Sequence, residues 1–301
     1  MTWRLRVRHT TAYAYEGVVH ASYNEARISP LDTSHQFTLE HRVEVGPPAN
    51  IFRYRDYWGT RVHAFDIHRE HTELVVIGTS VVETAERTPS ADTSVTWDAI
   101  GSPGLTDRFF EYLTATEFTR PDESVLGLAA ELRSEPAPAD AVLAVGRWLR
   151  DHIEYEPGAT SVSTTAPEVL RAGRGVCQDF VHLGLSSLRA AGIPARYVSG
   201  YLYPETAGGV GDTHQGQSHA WLEAWVGDWH PIDPTSGEDV AERHVLVARG
   251  RDYSDVAPLK GVYHGGPSRG LTVNVERPVS RETQEGSIAP SAARARAMAG
   301  P

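Results

Sequence analysis

The chain has 301 residues, 40% hydrophobic and 22% charged, enough for one large core or two smaller ones. A net charge of −11 with no long basic run argues against nucleic acid or an anionic membrane as the main partner. The single cysteine excludes an internal disulfide and fits a reducing compartment. The opening MTWRLRVRHTTAYAYE lacks an apolar signal core, and the longest apolar segment, Leu74–Val82, is too short to span a bilayer, so a cytoplasmic protein is expected.

Residues 1–85 read as strands. TWRLRVRHTTAYAYE, QFTLEHRVEV, TRVHAFDIHR and TELVVIGTSVVET are rich in Val, Thr, Tyr and Phe, with partial alternation, and Pro30, Gly46-Pro47-Pro48 and Gly59 punctuate them. An antiparallel β-sandwich is expected. His63, His68 and His71 match no single face, and surface positions are expected for them. The polar, Pro-, Gly- and Ser-containing stretch 86–105 reads as a linker.

From Thr106, a predicted N-cap, the texture turns helical: TDRFFEYLTATEF, then DESVLGLAAELRS, then PADAVLAVGRWLRDHIEY. The last of these puts Val142, Val145, Leu149 and Ile153 on one face. A loop, PGATSVSTT, leads to APEVLRAG and the cysteine helix. Strands follow as ARYVSGYLY, SHAWLEAWV, WHPIDPT, HVLVARG and LTVNVER. The fold class is therefore α+β, with a core over 106–280 and a small-residue tail over 281–301 expected to be disordered.

Cys177 follows Gly173-Arg174-Gly175-Val176 and opens CQDFVHLGLSSLRAAG, where Phe180, Leu183, Ser187, Leu188 and Ala191 recur at helical spacing. A cysteine in the first turn of a helix meets free N–H groups and the positive end of the dipole, which favour a thiolate and an oxyanion beside it. A buried free cysteine is the plain alternative. Asp179 is expected to complement the helix start, and His182 lies turned away from Cys177.

In SHAWLEAWVGDWHPIDPT, Ala220, Leu222, Ala224 and Val226 form a core face, and His219, Trp221, Glu223 and Trp225 share the other. Register then decides whether Asp233 can meet His219. A two-residue turn would pair Val226 with Trp229 and put Asp233 on the wrong face. A three-residue loop, Val226–Asp228, pairs Trp225 with Trp229 and sets Asp233 diagonal to His219, about 7–8 Å away between Cα atoms. An imidazole so held can keep a thiolate, and a carboxylate can orient it.

GRGVCQDF, AAGIPARYVSGYL, SHAWLEAWV and DWHPIDPT together resemble the transglutaminase-like superfamily, a papain-like group, with 42 residues from Cys177 to His219 and 14 more to Asp233. The approach to the cysteine and the later RDYSDVAPLKGVYHGG are also similar to bacterial members, as is the strand-rich N-terminal segment. The resemblance implies a Cys177, His219, Asp233 triad and acyl transfer through a thioester, from a carboxamide or peptide bond to water or an amine. It leaves the second oxyanion donor open. Tyr155 and Gln178 are candidates, although for Tyr155 an aromatic core residue at a helix end is the better reading. Trp221, Trp225 and Trp229 are candidate cleft walls, with cross-strand packing as their plain reading, and His214 sits in a Gly-rich loop that reads as a flap.

The 14 histidines form no HExxH and no paired Cys–His spacing, so no metal site is expected. No phosphate loop or dinucleotide fingerprint is present, and no acidic loop has a calcium-ligand pattern, so no cofactor is expected. The sequence around Cys177, CQDF, differs from that of arylamine N-acetyltransferases, another Cys–His–Asp group. A protein or peptide substrate is the expected partner, with an amine as a second. The alternative is a non-catalytic scaffold that keeps the fold.

Overall fold

The structure is a computed structural model that describes residues 2–87, 95–203, 213–216 and 218–280, excluding the side chains of 213–216 and 277–280. The elements in chain order begin with β1 (Thr2–Ala26), β2 (Gln36–Gly46), β3 (Ile51–Arg55), β4 (Arg61–Ile67) and β5 (His71–Ala85). Helices follow: α1 (Trp97–Ile100), α2 (Pro103–Arg108), α3 (Phe110–Leu113), α4 (Glu123–Arg133) and α5 (Pro138–His152). Next come β6 (Glu154–Tyr155), α6 (Ala166–Ala172), β7 (Arg174–Gly175), α7 (Cys177–Ala190), β8 (Ala195–Leu202) and β9 (Thr213–Gly216). The chain closes with β10 (His219–Trp225), β11 (Trp229–Ile232), β12 (His244–Gly250), α8 (Tyr253–Val256), β13 (Leu259–Gly265) and β14 (Ser268–Ser280).

The N-terminal strands are antiparallel, as their alternation predicts, and form one eight-stranded sheet with β9, β13 and β14. The 25-residue β1 runs through both halves of it. Its first half lies between β5 and β14, and its second half between β4 and β13. Val43 and Val76 from one half and Phe65 and Ile67 from the other share a buried cluster. The C-terminal strands, read from sequence with the core, thus hydrogen-bond to β1. A strand whose partner lies more than 200 residues away carries no local sign of it.

Three local expectations change. His63 and His71 are buried, at 2% and 6% exposure, because both strands point them into the sheet's interior. Burial lowers His63 to a pKa of about 4. Residues 95–105 of the expected linker carry α1 and the start of α2, while 88–94 lie outside the described residues. Thr106 sits inside α2, its hydroxyl donating to the Ser102 and Pro103 carbonyls, because Pro103 pre-sets the helix three residues earlier. The expected tail, 281–301, also lies outside the described residues.

α7 is the central helix, buried from Asp179 to Arg189. α5 presents Val142, Val145 and Leu149, all fully buried, to the same core. The core sheet has the order β11-β10-β8-β12, and its Leu222 face packs on α7 where Gly184 leaves room. Arg189, at the end of α7, is buried and donates to the Ala195 and Thr114 carbonyls and to Thr119 Oγ1. It fixes the helix to the start of β8 and complements the helix C-terminus. Among the described residues no helix is long and apolar enough to cross a membrane.

Gly200 sits mid-sheet, paired with His219 on one side and Leu246 on the other. A Cβ there would stand 2.1 Å from the Val245 carbonyl and 2.6 Å from Trp221 Cη2. Overpacking of this kind costs about 1–3 kcal/mol. Gly200→Ala should therefore lower the urea midpoint, and an unchanged midpoint would mean that the sheet does not close as described.

Candidate active site

Cys177 is the first residue of α7 and is partly exposed. What places it there is local. Gly173 adopts a left-handed φ of 63° and ends α6. Gly175 then pairs with Tyr155 in the two-stranded parallel β6–β7 ladder. A Cβ on Gly175 would lie 2.7 Å from Asp179 Oδ2, so only glycine lets the chain pass. Asp179 Oδ2 accepts the Val176 N–H at 2.7 Å and the Thr160 hydroxyl at 2.6 Å, which fastens the helix start. Its burial raises its pKa, against the Thr160 and Val176 bonds that lower it. No acceptor is present among the described residues for the N–H groups of Cys177 and Gln178, as expected for a first turn.

His219 opens β10, and Asp233 follows the end of β11. The hairpin pairs Trp225 with Trp229 and Leu222 with Ile232, the register of the three-residue loop. Gly227, at φ 109°, and the Val226 N–H on the Asp228 carbonyl close that loop. His219 Nε2 lies 2.7 Å from Asp233 Oδ2. Cys177 stands close enough to the ring to add to the shift in its pKa, and with Nε2 on Asp233 the nitrogen left for a further partner is Nδ1. Burial opposes charge on His219, but the bond to Asp233 and the nearby Cys177 outweigh it and raise the pKa to about 10. At neutral pH the ring is an imidazolium.

Asp233 is fully buried and well supplied with donors. It accepts from the Ser236 hydroxyl at 2.7 Å, from the Thr235 N–H at 3.0 Å and from the Ser236 N–H at 3.2 Å. His244, from β12, adds an Nε2 contact at 3.3 Å to Oδ2. Burial disfavours the carboxylate, but His219 and His244 more than offset it and hold the pKa well below its ordinary 3.8. Burial lowers the pKa of His244 itself, so it is a neutral donor. The ligand atoms of His219, Asp233 and His244 lie within 4.8 Å of one another, close enough to hold an ion. Here they are spent on mutual hydrogen bonds.

The other sequence candidates divide. Tyr155 is 53% exposed and stands close enough to Cys177 for the thiol, after burial, to raise its pKa. It is thus at the site and not packed away. The Gln178 carboxamide turns aside and donates to the Val162 carbonyl at 3.1 Å. Trp221 and Trp225 are interior residues, at 1% and 9% exposure, and not cleft walls. Trp221 packs with Leu31, Val198 and Leu246, and Trp225 against Phe109 at 4.8 Å. Trp229 stacks under Arg196 at 3.8 Å and meets Tyr112 at 5.2 Å. Packing against the helical segment Phe109–Tyr112, against Arg196 and against Leu31 accounts for all three, and no aromatic pair across the strands is needed. The backbone of His214 lies in β9, paired with Arg277, and its side chain is outside the described residues, as are 204–212 and 217. His244 and Ser236 were not singled out in the sequence. Ser236, three residues after Asp233, is in principle visible as an Asx-turn pattern; His244 has no local signal.

A model of the transglutaminase-like superfamily matches residues 127–234, and one of the bacterial transglutaminase-like N-terminal region matches 5–83. An uncharacterized protein of Mycobacterium leprae is 46% identical over 274 residues, 91% of this chain and 98% of its own length. Over 116 residues, 36% of this chain and 17% of the relative, the identity to a protein-glutamine gamma-glutamyltransferase of Pseudomonas aeruginosa is 35%. The solved structure of a candidate cysteine protease from Cytophaga hutchinsonii superposes with a TM-score of 0.72, covering 94% of both chains at 23% identity, a likeness of fold.

The His219–Asp233 pair makes stability depend on pH. Raising His219 from 6.5 to about 10 gives a contribution that is complete below pH 6.5 and vanishes as pH rises through about 10. The depressed Asp233 contributes fully above its ordinary 3.8 and less as pH falls below that. Removing one partner of a buried pair costs about 3–5 kcal/mol. In urea unfolding, Asp233→Asn should therefore lose most against wild type at pH 5–6.5 and progressively less towards pH 10. A deficit constant over that range would contradict the assigned ionic pair.

Proposed function

The chain belongs to the transglutaminase-like superfamily, and on that premise we propose that it catalyses acyl transfer at a carboxamide or peptide bond through a thioester on Cys177. One observation carries the reading: a single imidazole, His219, is fixed on a buried carboxylate at 2.7 Å and stands near enough to the thiol at the start of α7 for the thiol to raise its pKa. Cys177 acts as nucleophile, His219 as acid and base, and Asp233 as the carboxylate that fixes and charges the ring.

In this mechanism the Cys177 thiolate attacks the carbonyl carbon. The electron pair moves to the oxygen, which the N–H groups of Cys177 and Gln178 receive, with Tyr155 beside them. On collapse, the carbon–nitrogen bond breaks and the leaving amine takes the proton from His219 Nδ1. Water or a second amine then attacks the thioester and gives its proton back to Nδ1. The carbon–sulfur bond breaks, and the thiolate–imidazolium pair is restored. Asp233 stays ionised throughout, stabilised by its four further donors.

The test uses a glutamine-bearing peptide with and without a primary amine, followed by ammonia release and mass spectrometry. Turnover should vanish in Cys177→Ala and fall by about 10²–10⁴-fold in His219→Ala. An amine adduct marks transamidation, a deamidated peptide marks hydrolysis of the carboxamide, and chain cleavage marks a peptidase. Turnover that survives Cys177→Ala would overturn the proposal.

A further inference from the structure

A cavity of about 250 Å³ lies on the sheet face opposite α7, between β8, β10 and β12 and the segments Thr33–Gln36 and Thr84–Arg87. Three arginines line it: Arg87, Arg196 and Arg249. They converge on one carboxylate. Glu223 is buried and accepts from Arg196 Nε at 2.7 Å, from Arg249 Nε at 2.9 Å and from Arg249 Nη2 at 3.1 Å, and Arg87 Nη1 stands 3.8 Å away. Burial alone would raise the pKa of Glu223, but the two bonded arginines lower it to about 2, so it carries a full charge.

Three guanidiniums against the two acids of the lining, Glu223 and Asp228, leave one positive charge in excess, with the arginine side chains only 25%, 13% and 24% exposed. The second acid of the lining, Asp228, is exposed at the rim, and its Oδ1 is occupied by the Trp229 N–H. Unbalanced charge at such depth is costly unless something of opposite sign sits beside it. This is a local excess of positive charge in a chain whose net charge is −11. Trp221, 1% exposed, belongs to the same wall, and its indole N–H is buried with no acceptor among the described residues. A surplus of guanidinium asks for an oxyanion.

We propose that this cavity binds a small oxyanion, a carboxylate or phosphate of low molecular weight, on the arginines at the back of the catalytic sheet. The volume is below that of sites for drug-sized ligands, about 300–1,000 Å³, so the occupant is a compact anion. Guanidinium groups suit such ligands because their forked donors match paired oxygens. His244 lines the same cavity and reaches Asp233 Oδ2 from it, so the occupant lies one imidazole away from that carboxylate. The binding claim does not depend on what Cys177 does.

The test is calorimetric titration of the whole protein with inorganic phosphate and, separately, with succinate, at constant ionic strength set by chloride. One of them should bind saturably, with a dissociation constant of about 1 mM or below, and the stronger of the two names the chemistry. Arg87→Gln, which leaves the Glu223 pairs with Arg196 and Arg249 in place, should weaken binding at least about tenfold. Phenylglyoxal labelling of wild type, read by peptide mass spectrometry, needs no variant: the anion should protect Arg87 and Arg249 while exposed arginines react as before. No saturable binding by either anion, or binding with neither arginine protected, would overturn the site.

Discussion

The buried carboxylate of Asp233 is the constraint on which the site depends. An ionised carboxylate without solvent is costly, and it survives only where donors surround it. Here the hairpin register brings His219, the Asp-Pro-Thr-Ser turn brings two backbone N–H groups and the Ser236 hydroxyl, and β12 brings His244. Each donor comes from a different piece of backbone geometry. A one-residue slip of β11 would turn Asp233 to the face of Leu222 and leave both the acid and the imidazole unpaired.

The same economy of geometry governs the thiol. α7 is buried along most of its length, so its first turn cannot drift, and Asp179 and Thr160 pin the backbone just ahead of it. The N-terminal sheet in turn braces the core sheet. The Gln36 side-chain amide donates to the Leu246 carbonyl and accepts the Leu246 N–H, His9 meets the Tyr201 hydroxyl at 3.0 Å, and Thr84 donates to the Glu242 carbonyl. Leu31 completes a small core with Trp221, Val198 and Leu246. The strand-rich segment thereby closes the face of β8–β10–β12 that α7 leaves open, and the arginine-lined cavity is what remains at that junction.

Much of this was legible in the sequence where the signal is local. Alternation separates Leu222 and Ala224 from Glu223, and the odd loop Val226–Asp228 fixes Trp225 opposite Trp229. Glycines and the helical spacing after Cys177 mark the start of α7. What was hidden rests on pairing between distant segments. His244 meets Asp233 only because β12 joins β8, with a register shift between Leu246 and Ala248. β13 and β14 join β1 across almost the whole chain. Trp221 and Trp225 sit on the face that alternation assigns to a cleft, yet Leu31 and Phe109 cover them, and nothing in their own strand announces that cover.

The central claim is that His219, charged by Asp233, holds Cys177 as a reactive thiolate. Iodoacetamide alkylation against pH, on wild type and His219→Ala, tests it most directly, since the chain has one cysteine. The account predicts fast alkylation of wild type at neutral pH and below, and at least about a tenfold slower rate at pH 7 in His219→Ala, recovering only as the solution is made alkaline. Identical rate–pH profiles for the two proteins would contradict it.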